Sequence, residues 1–71
     1  MKTIILTAPP GWGNTRNAEA LRQEFGCRLV VDGWKPTHAT VEGALHLTNV
    51  HPQQIPSGYL LTAELVSRGW S

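Results

Sequence analysis

Residues 6–21, LTAPPGWGNTRNAEAL, decide how the rest of the chain is read. Within them, Ala8-Pro9-Pro10-Gly11-Trp12-Gly13-Asn14-Thr15 follows the phosphate-loop spacing Ala/Gly-x-x-x-x-Gly-Lys-Ser/Thr at every fixed position but one. Asn14 stands where that pattern has lysine. Glycines at 11 and 13 let the backbone take positive φ and bring N–H groups close to an anion, and a helix starting there aims its positive end at the same spot. Thr15 keeps the hydroxyl that such a loop offers to Mg²⁺.

The flanks supply the context that this spacing requires. Residues 3–7, TIILT, form a short β-branched and apolar run, and Pro9 and Pro10 forbid its ladder from continuing, so a strand ending at the loop is expected. Asn14 or Thr15 can cap a helix whose first turn is Thr15–Ala18, with Ala18, Leu21 and Phe25 at helical spacing and Gly26 as its stop. Leu29–Val31 reads as a second strand ending at Asp32-Gly33. Strand, helix and strand within about thirty residues make a βαβ unit with parallel strands.

Residues 35–42, KPTHATVE, show no helical period and read as an extended connection. Residues 43–49, GALHLTN, read as a third strand. After a proline-containing loop at 50–58, residues 57–69 carry Tyr59, Leu60, Ala63, Val66 and Trp70 on one helical stripe, with Glu64 and Arg68 four apart on the other side, which predicts a second helix. The expected fold is thus α/β, a three-stranded mainly parallel sheet in the order β-α-β-β-α, a minimal P-loop-like domain spanning 1–71. Alternation sets Ile4, Leu6, Leu29, Val31, Leu45 and Leu47 on one face as the main core. Thr3, Ile5, Thr7, Arg28, Val30, Ala44 and His46 fall on a more polar face, thinly covered or used for association.

Composition narrows the function classes. Apolar residues make up 41% and charged residues 15%, the balance of a chain that folds, while 71 residues allow one small domain of modest stability. Six basic against five acidic residues, with Arg16, Arg22, Arg28 and Lys35 scattered, provide no field for nucleic acid. No segment has the ~20 apolar residues of a membrane span, and the apolar run Ile4–Leu6 is shorter than the roughly 7 residues of a signal core. With the single Cys27 unable to form an internal disulfide, a soluble cytoplasmic protein without nucleic-acid or membrane partners is expected.

Residues 3–34, with a weaker likeness through GALHLTN, resemble the opening βαβ of a P-loop nucleotide kinase, in which a strand is followed by G-P-P-G-x-G-K-T, a helix and a strand. Thr7, Pro9, Pro10, Gly11, Gly13 and Thr15 match; Asn14 departs. The resemblance implies a phosphate-binding loop at Gly11, Trp12, Gly13, Asn14 and Thr15, and nucleotide or phosphate with Mg²⁺ as ligand. A small stripped-down domain of this sort is also similar to short phage and prophage accessory proteins.

Catalysis is not implied. Asn14 removes a charge-assisted phosphate contact worth about 1.5–3 kcal/mol, and more where charge moves onto the phosphate in a transition state. The third strand ends LTN without a metal-binding Asp, and no residues remain for the family's acceptor domain or lid. Arg16, Asp32 and Lys35 are the candidates to touch a ligand in compensation, each with a plainer reading as a solvated or turn residue. Trp12 and Trp34 follow parallel strands, at the edge where ligands or partners sit, and either form an interaction surface or cover the edge of the core. His38, His46, His51 and Cys27 lack metal-ligand spacing, so no metal cluster is expected; His46 reads as half-exposed and Cys27 as a buried small apolar group. Three functions follow: a non-catalytic degenerate P-loop module that binds a phosphate-bearing ligand, a small interaction module that has lost the ligand and binds a protein partner or its own copy, or, disfavoured by the missing lysine, a weak nucleotide kinase or hydrolase.

Overall fold

The first strand, β1 (Ile4–Thr7), is buried along its whole length and forms the middle of the sheet. The structure is a computed structural model that describes residues 1–70. After β1 come helix α1 (Ala18–Phe25), strands β2 (Leu29–Val31) and β3 (Ala44–Thr48), two 3-10 turns at Pro52–Gln54 and Ser57–Leu61, and strand β4 (Glu64–Ser67). All pairings are parallel and the order is β2-β3-β1-β4. The chain is therefore α/β with a parallel sheet, as expected, but with four strands and one α-helix among the described residues.

The expected second helix over 57–69 is a 3-10 turn followed by β4. Helical spacing in this segment lost to a demand made elsewhere. The backbone groups of β1 that face away from β3 lie in the core, and unpaired groups there are costly. Residues 64–67 satisfy them, with Glu64 N–H donating to the Thr3 carbonyl at 2.9 Å and Arg68 N–H to the Thr7 carbonyl at 2.9 Å flanking the ladder.

Helix α1 begins at Ala18 rather than at residue 15, and neither Asn14 nor Thr15 caps it. Asn17 occupies the N-cap without a side-chain cap bond. Its N–H reaches back to the Gly13 carbonyl at 3.0 Å, so residues 14–17 are spent as turns of the loop. Gly26 ends the helix in the left-handed conformation, φ 70°, a geometry in which glycine carries no Cβ penalty.

Both faces of the central strands β1 and β3 are dry. Ile4, Leu6, Leu45 and Leu47 pack under α1 with Leu21 and Cys27, joined by Phe25, Val30 and Val66. The opposite face, expected to be polar and thinly covered, buries Ile5, Thr7, Ala44 and His46 completely. Trp34, Ile55, Ala63 and Tyr59, brought in by the β2–β3 connection and the 3-10 turns, cover it. The β2 register also differs: Val30 pairs with Leu45 and shares the α1 face, while Leu29 and Val31 lie with Ala44 and His46. A one-residue change of register moves every side chain to the other face, and the bond from Arg28 N–H to the Gly43 carbonyl at 2.8 Å sets this one.

His46 is fully buried, not half-exposed. Its Nε2 accepts from the Val41 N–H at 2.8 Å, which leaves Nδ1 to carry the proton and donate to the Ile4 carbonyl at 2.9 Å. Among the described residues no helix is long and apolar enough to cross a membrane.

Candidate functional site

The chain leaves β1 and β3, neighbours in the sheet, toward opposite faces. From β1 it passes through α1 to β2; from β3 it passes through the 3-10 turns to β4. In open parallel sheets the crevice at such a divergence, outside the carboxyl ends of the strands, is where ligands lodge. A cleft of about 380 Å³ lies there, walled by residues 10–17 and Asn49. Asn49 Nδ2 donates to the Ala8 carbonyl at 2.9 Å and so ties the exit of β3 to the exit of β1.

Sequence chemistry accounts for the loop in two parts. Trp12 N–H donates to the Pro9 carbonyl at 3.1 Å, closing a turn with Pro10 and Gly11 at its centre. Gly11 has φ 86°, and Pro followed by positive-φ Gly is the signature of a type II turn. Gly13, with φ 97°, then redirects the chain toward the helix. Its carbonyl accepts from both the backbone N–H and, at 2.9 Å, the side-chain Nδ2 of Asn17.

Asn14 is 7% exposed, and its Oδ1 accepts from the Thr15 N–H at 2.9 Å. A neutral oxygen of the chain itself thus holds an amide that an intact phosphate loop would offer to an anion. The N–H groups of Gly13, Asn14 and Arg16 meet no acceptor among the described residues. Arg16 is exposed and is the one charged side chain among the described residues of the cleft wall.

Thr15 and Asp32 come together across seventeen positions of sequence: Thr15 Oγ1 donates to Asp32 Oδ1 at 3.1 Å. The same Oδ1 accepts from the Gly33 N–H at 2.9 Å. Among the described residues no cluster of three His, Cys, Asp or Glu could hold a metal by itself. A hydroxyl beside a carboxylate does suit Mg²⁺, which takes few protein oxygens and completes its shell with water and phosphate.

The other candidates lie elsewhere. Lys35 is exposed but forms no part of the cleft wall. Trp34 is 1% exposed, with Nε1 donating to the Ala39 carbonyl at 3.1 Å and its ring edge-on to His46 and Tyr59. It closes the core and offers no interaction surface. Trp12 is half-buried against the α1-side core and lies on Gly69, where a Cβ would stand 2.5 Å from Trp12 Cδ1. It forms one wall of the cleft without filling it. Cys27 is buried, as expected, and burial pushes its thiol pKa up.

Sequence reasoning passed over Asn49 and Gly69. Asn49 follows the third strand directly, at the edge where ligands gather, and was read only for the Asp it is not. Gly69 carries no local signal, because its role is room for a tryptophan 57 positions away. Compared with known proteins, the chain matches no family model, no curated protein and no solved structure.

Proposed function

We propose that the chain is a non-catalytic module that binds a phosphate-bearing ligand in the cleft at the carboxyl ends of β1 and β3. The observation that carries this reading is the set of unpaired N–H groups at Gly13, Asn14 and Arg16 among the described residues, on a glycine loop between a parallel strand and a helix, with the exposed Arg16 on the same cleft wall. Unpaired backbone N–H groups on a glycine loop favour anions, and the exposed Arg16, in the turn before α1, adds charge. When Mg²⁺ is bound, it neutralises phosphate charge, and Thr15 and Asp32 are the residues to hold it. Asn14 leaves the cleft without the charge that phosphoryl transfer needs, which supports binding over turnover. The buried free thiol of Cys27 fits a reducing, cytoplasmic setting.

The test follows the amide resonances of residues 11–16 while inorganic phosphate, ATP or GTP is added, with and without Mg²⁺. Saturable shifts centred on Gly13, Asn14 and Arg16 are expected. Unmoved amides at millimolar ligand would refute binding. Shifts shared by ATP and GTP but absent with phosphate would assign a nucleotide rather than a simple anion.

A further inference from the structure

We propose that β4 is a self-association edge, along which two copies of this chain pair antiparallel to make one continuous eight-stranded sheet. The proposal stands apart from the phosphate reading and uses none of the cleft residues.

Backbone parity comes first. Glu64 and Arg68 direct their N–H groups to Thr3 and Thr7 of the β1 side. Alternation along a strand then turns the N–H and C=O groups of Leu65 and Ser67 outward. Among the described residues β4 pairs with β1 alone, so these four groups form an open edge. Proteins usually blunt such an edge with proline, a bulge or inward-pointing charge. Residues 64–67, ELVS, contain no proline; the one charge, Glu64, is exposed at the start of the strand, and Leu65 and Val66 are each only partly buried, on opposite faces of the sheet.

A register centred on Ser67 would set Val66 against Arg68 and carry Leu65 past the strand to Gly69; two other antiparallel registers keep the faces of the copies aligned about a two-fold axis. In one, Leu65 meets Leu65 of the second copy, and Ser67 would have to bond Ala63. The Ala63 N–H is already given to the Tyr59 carbonyl at 3.1 Å, so that ladder stops short. It also sets Glu64 against Val66.

The other register has Val66 on the axis facing Val66. Leu65 and Ser67, both outward-facing, then make a hydrogen-bonded pair on each side of the axis, and all four open groups of each copy are used. Glu64, whose Oε2 lies 4.0 Å from the exposed Lys2 Nζ of its own chain, falls opposite Arg68, twice by symmetry. Both pairs lie at non-hydrogen-bonded positions, where side chains approach most closely. A β-branched pair on the axis flanked by two opposite-charge pairs is the combination that stabilises antiparallel strands. Arg68 is held ready on that face by Glu24, whose Oε2 lies 2.9 Å from its Nη2, and by the Phe25 ring, 5.3 Å from its guanidinium carbon. Self-complementarity in backbone, shape and charge selects a second copy as the occupant.

The charge pairs supply the test. Glu64→Arg sets arginine against Arg68 in both pairs, and Arg68→Glu sets glutamate against Glu64. Each single variant is expected to dimerise about 10- to 30-fold more weakly than the parent, from two cross-strand pairs turned from attraction to repulsion. An equimolar mixture of the two variants makes every facing pair opposite in sign again. Sedimentation equilibrium from micromolar to millimolar chain should therefore show association in the parent, its weakening in each variant and its return in the mixture. A third variant, Ser67→Pro, removes an outward N–H that β1 does not use, and it should remain folded and monomeric. A parent monomeric at millimolar concentration overturns the proposal. So do single variants that associate as tightly as the parent, a mixture that regains nothing, or a folded Ser67→Pro that dimerises.

Discussion

Replacing Asn14 with lysine should convert a weak anion site into a markedly tighter one. Two things change at once. The Asn14 Oδ1 bond to Thr15 N–H, 2.9 Å long, disappears and frees a fourth amide beside those of Gly13, Asn14 and Arg16. An ammonium also enters a cleft whose described wall carries one charge, on Arg16. A charge-assisted hydrogen bond contributes about 1.5–3 kcal/mol, so phosphate or nucleotide should bind roughly 10- to 150-fold more tightly than to the parent. Without ligand the variant should lose about 1 kcal/mol of stability, from the missing side-chain bond and the exposure of a chain atom set that is now nearly buried. Asn14→Ala separates the two causes, because it frees the same amide and adds no charge. The assay is an amide-shift titration with phosphate and with ATP, with and without Mg²⁺, run on parent, Asn14→Ala and Asn14→Lys. The expected order of affinity is parent, then Ala, then Lys. A folded Asn14→Lys that binds no better than the parent would show that the loop does not direct its amides at the cleft, and the reasoning from glycine loop to anion site would fail.

Asp32→Asn should act in opposite directions on two ligands: it removes a carboxylate charge that repels free phosphate, and it replaces the anionic oxygen that would hold Mg²⁺ beside Thr15 with a neutral amide oxygen, a far weaker magnesium ligand. Metal-free phosphate should bind more tightly and Mg²⁺ should no longer help; equal effects on both would refute the pairing. Gly69→Ala should destabilise the domain by roughly 2–3 kcal/mol in urea unfolding, combining about 1–2 kcal/mol for a left-handed non-glycine residue with a methyl 2.5 Å from Trp12 Cδ1. A loss below that of a neutral surface substitution would mean that Trp12 is not seated on Gly69. His46→Phe should leave the Val41 N–H without its acceptor and remove the side-chain donor from the Ile4 carbonyl, costing about 1–3 kcal/mol in urea unfolding; a variant as stable as the parent would contradict the buried bridge. Cys27 should link stability to alkaline pH. Burial raises its thiol pKa above the unfolded value, so its contribution is intact below the ordinary thiol range, about 8.5, and is lost as pH rises above it. Cys27→Ala should flatten that alkaline decline, and an unchanged slope would assign it to other groups.

Much of the first thirty-one residues was legible because its signals are local, although the start of α1 and the face assignment of β2 were not. Proline and glycine placed the end of β1, Gly26 the end of α1, and the run Leu29–Val31 the second strand, all within a residue or so of the observed bounds. What failed was non-local. Residues 57–69 carry a helical stripe, yet residues 64–67 become a strand because β1 needs a second neighbour, and nothing within that window states this need. The polar look of His46 and Thr7 suggested a wet face; instead His46 bridges Val41 to Ile4, and Thr7 Oγ1 donates to the Val50 carbonyl, so both are satisfied and buried. The same limit applies to the cleft. The glycines and Thr15 were readable from spacing, whereas Asn49 and the Thr15–Asp32 contact exist only because β3 lies beside β1 and β2 lies beyond it.

Asn14 is therefore more than an absent lysine. A loop that must hold its shape without ligand needs acceptors for inward-facing amides, and the amide side chain supplies one from within the chain. An anion that reaches Thr15 has to displace that oxygen, exchanging one hydrogen bond for another, which leaves little net gain. It must then rely on the remaining amides and on Arg16, an exposed cation whose attraction is screened by salt and opposed by the nearby Asp32 carboxylate. These terms favour a weak, salt-sensitive and Mg²⁺-assisted site over a tight one. They also make the ligand-free loop the ordered state, so that binding should change local hydrogen bonding at residues 13–16 while leaving α1 and the sheet where they are.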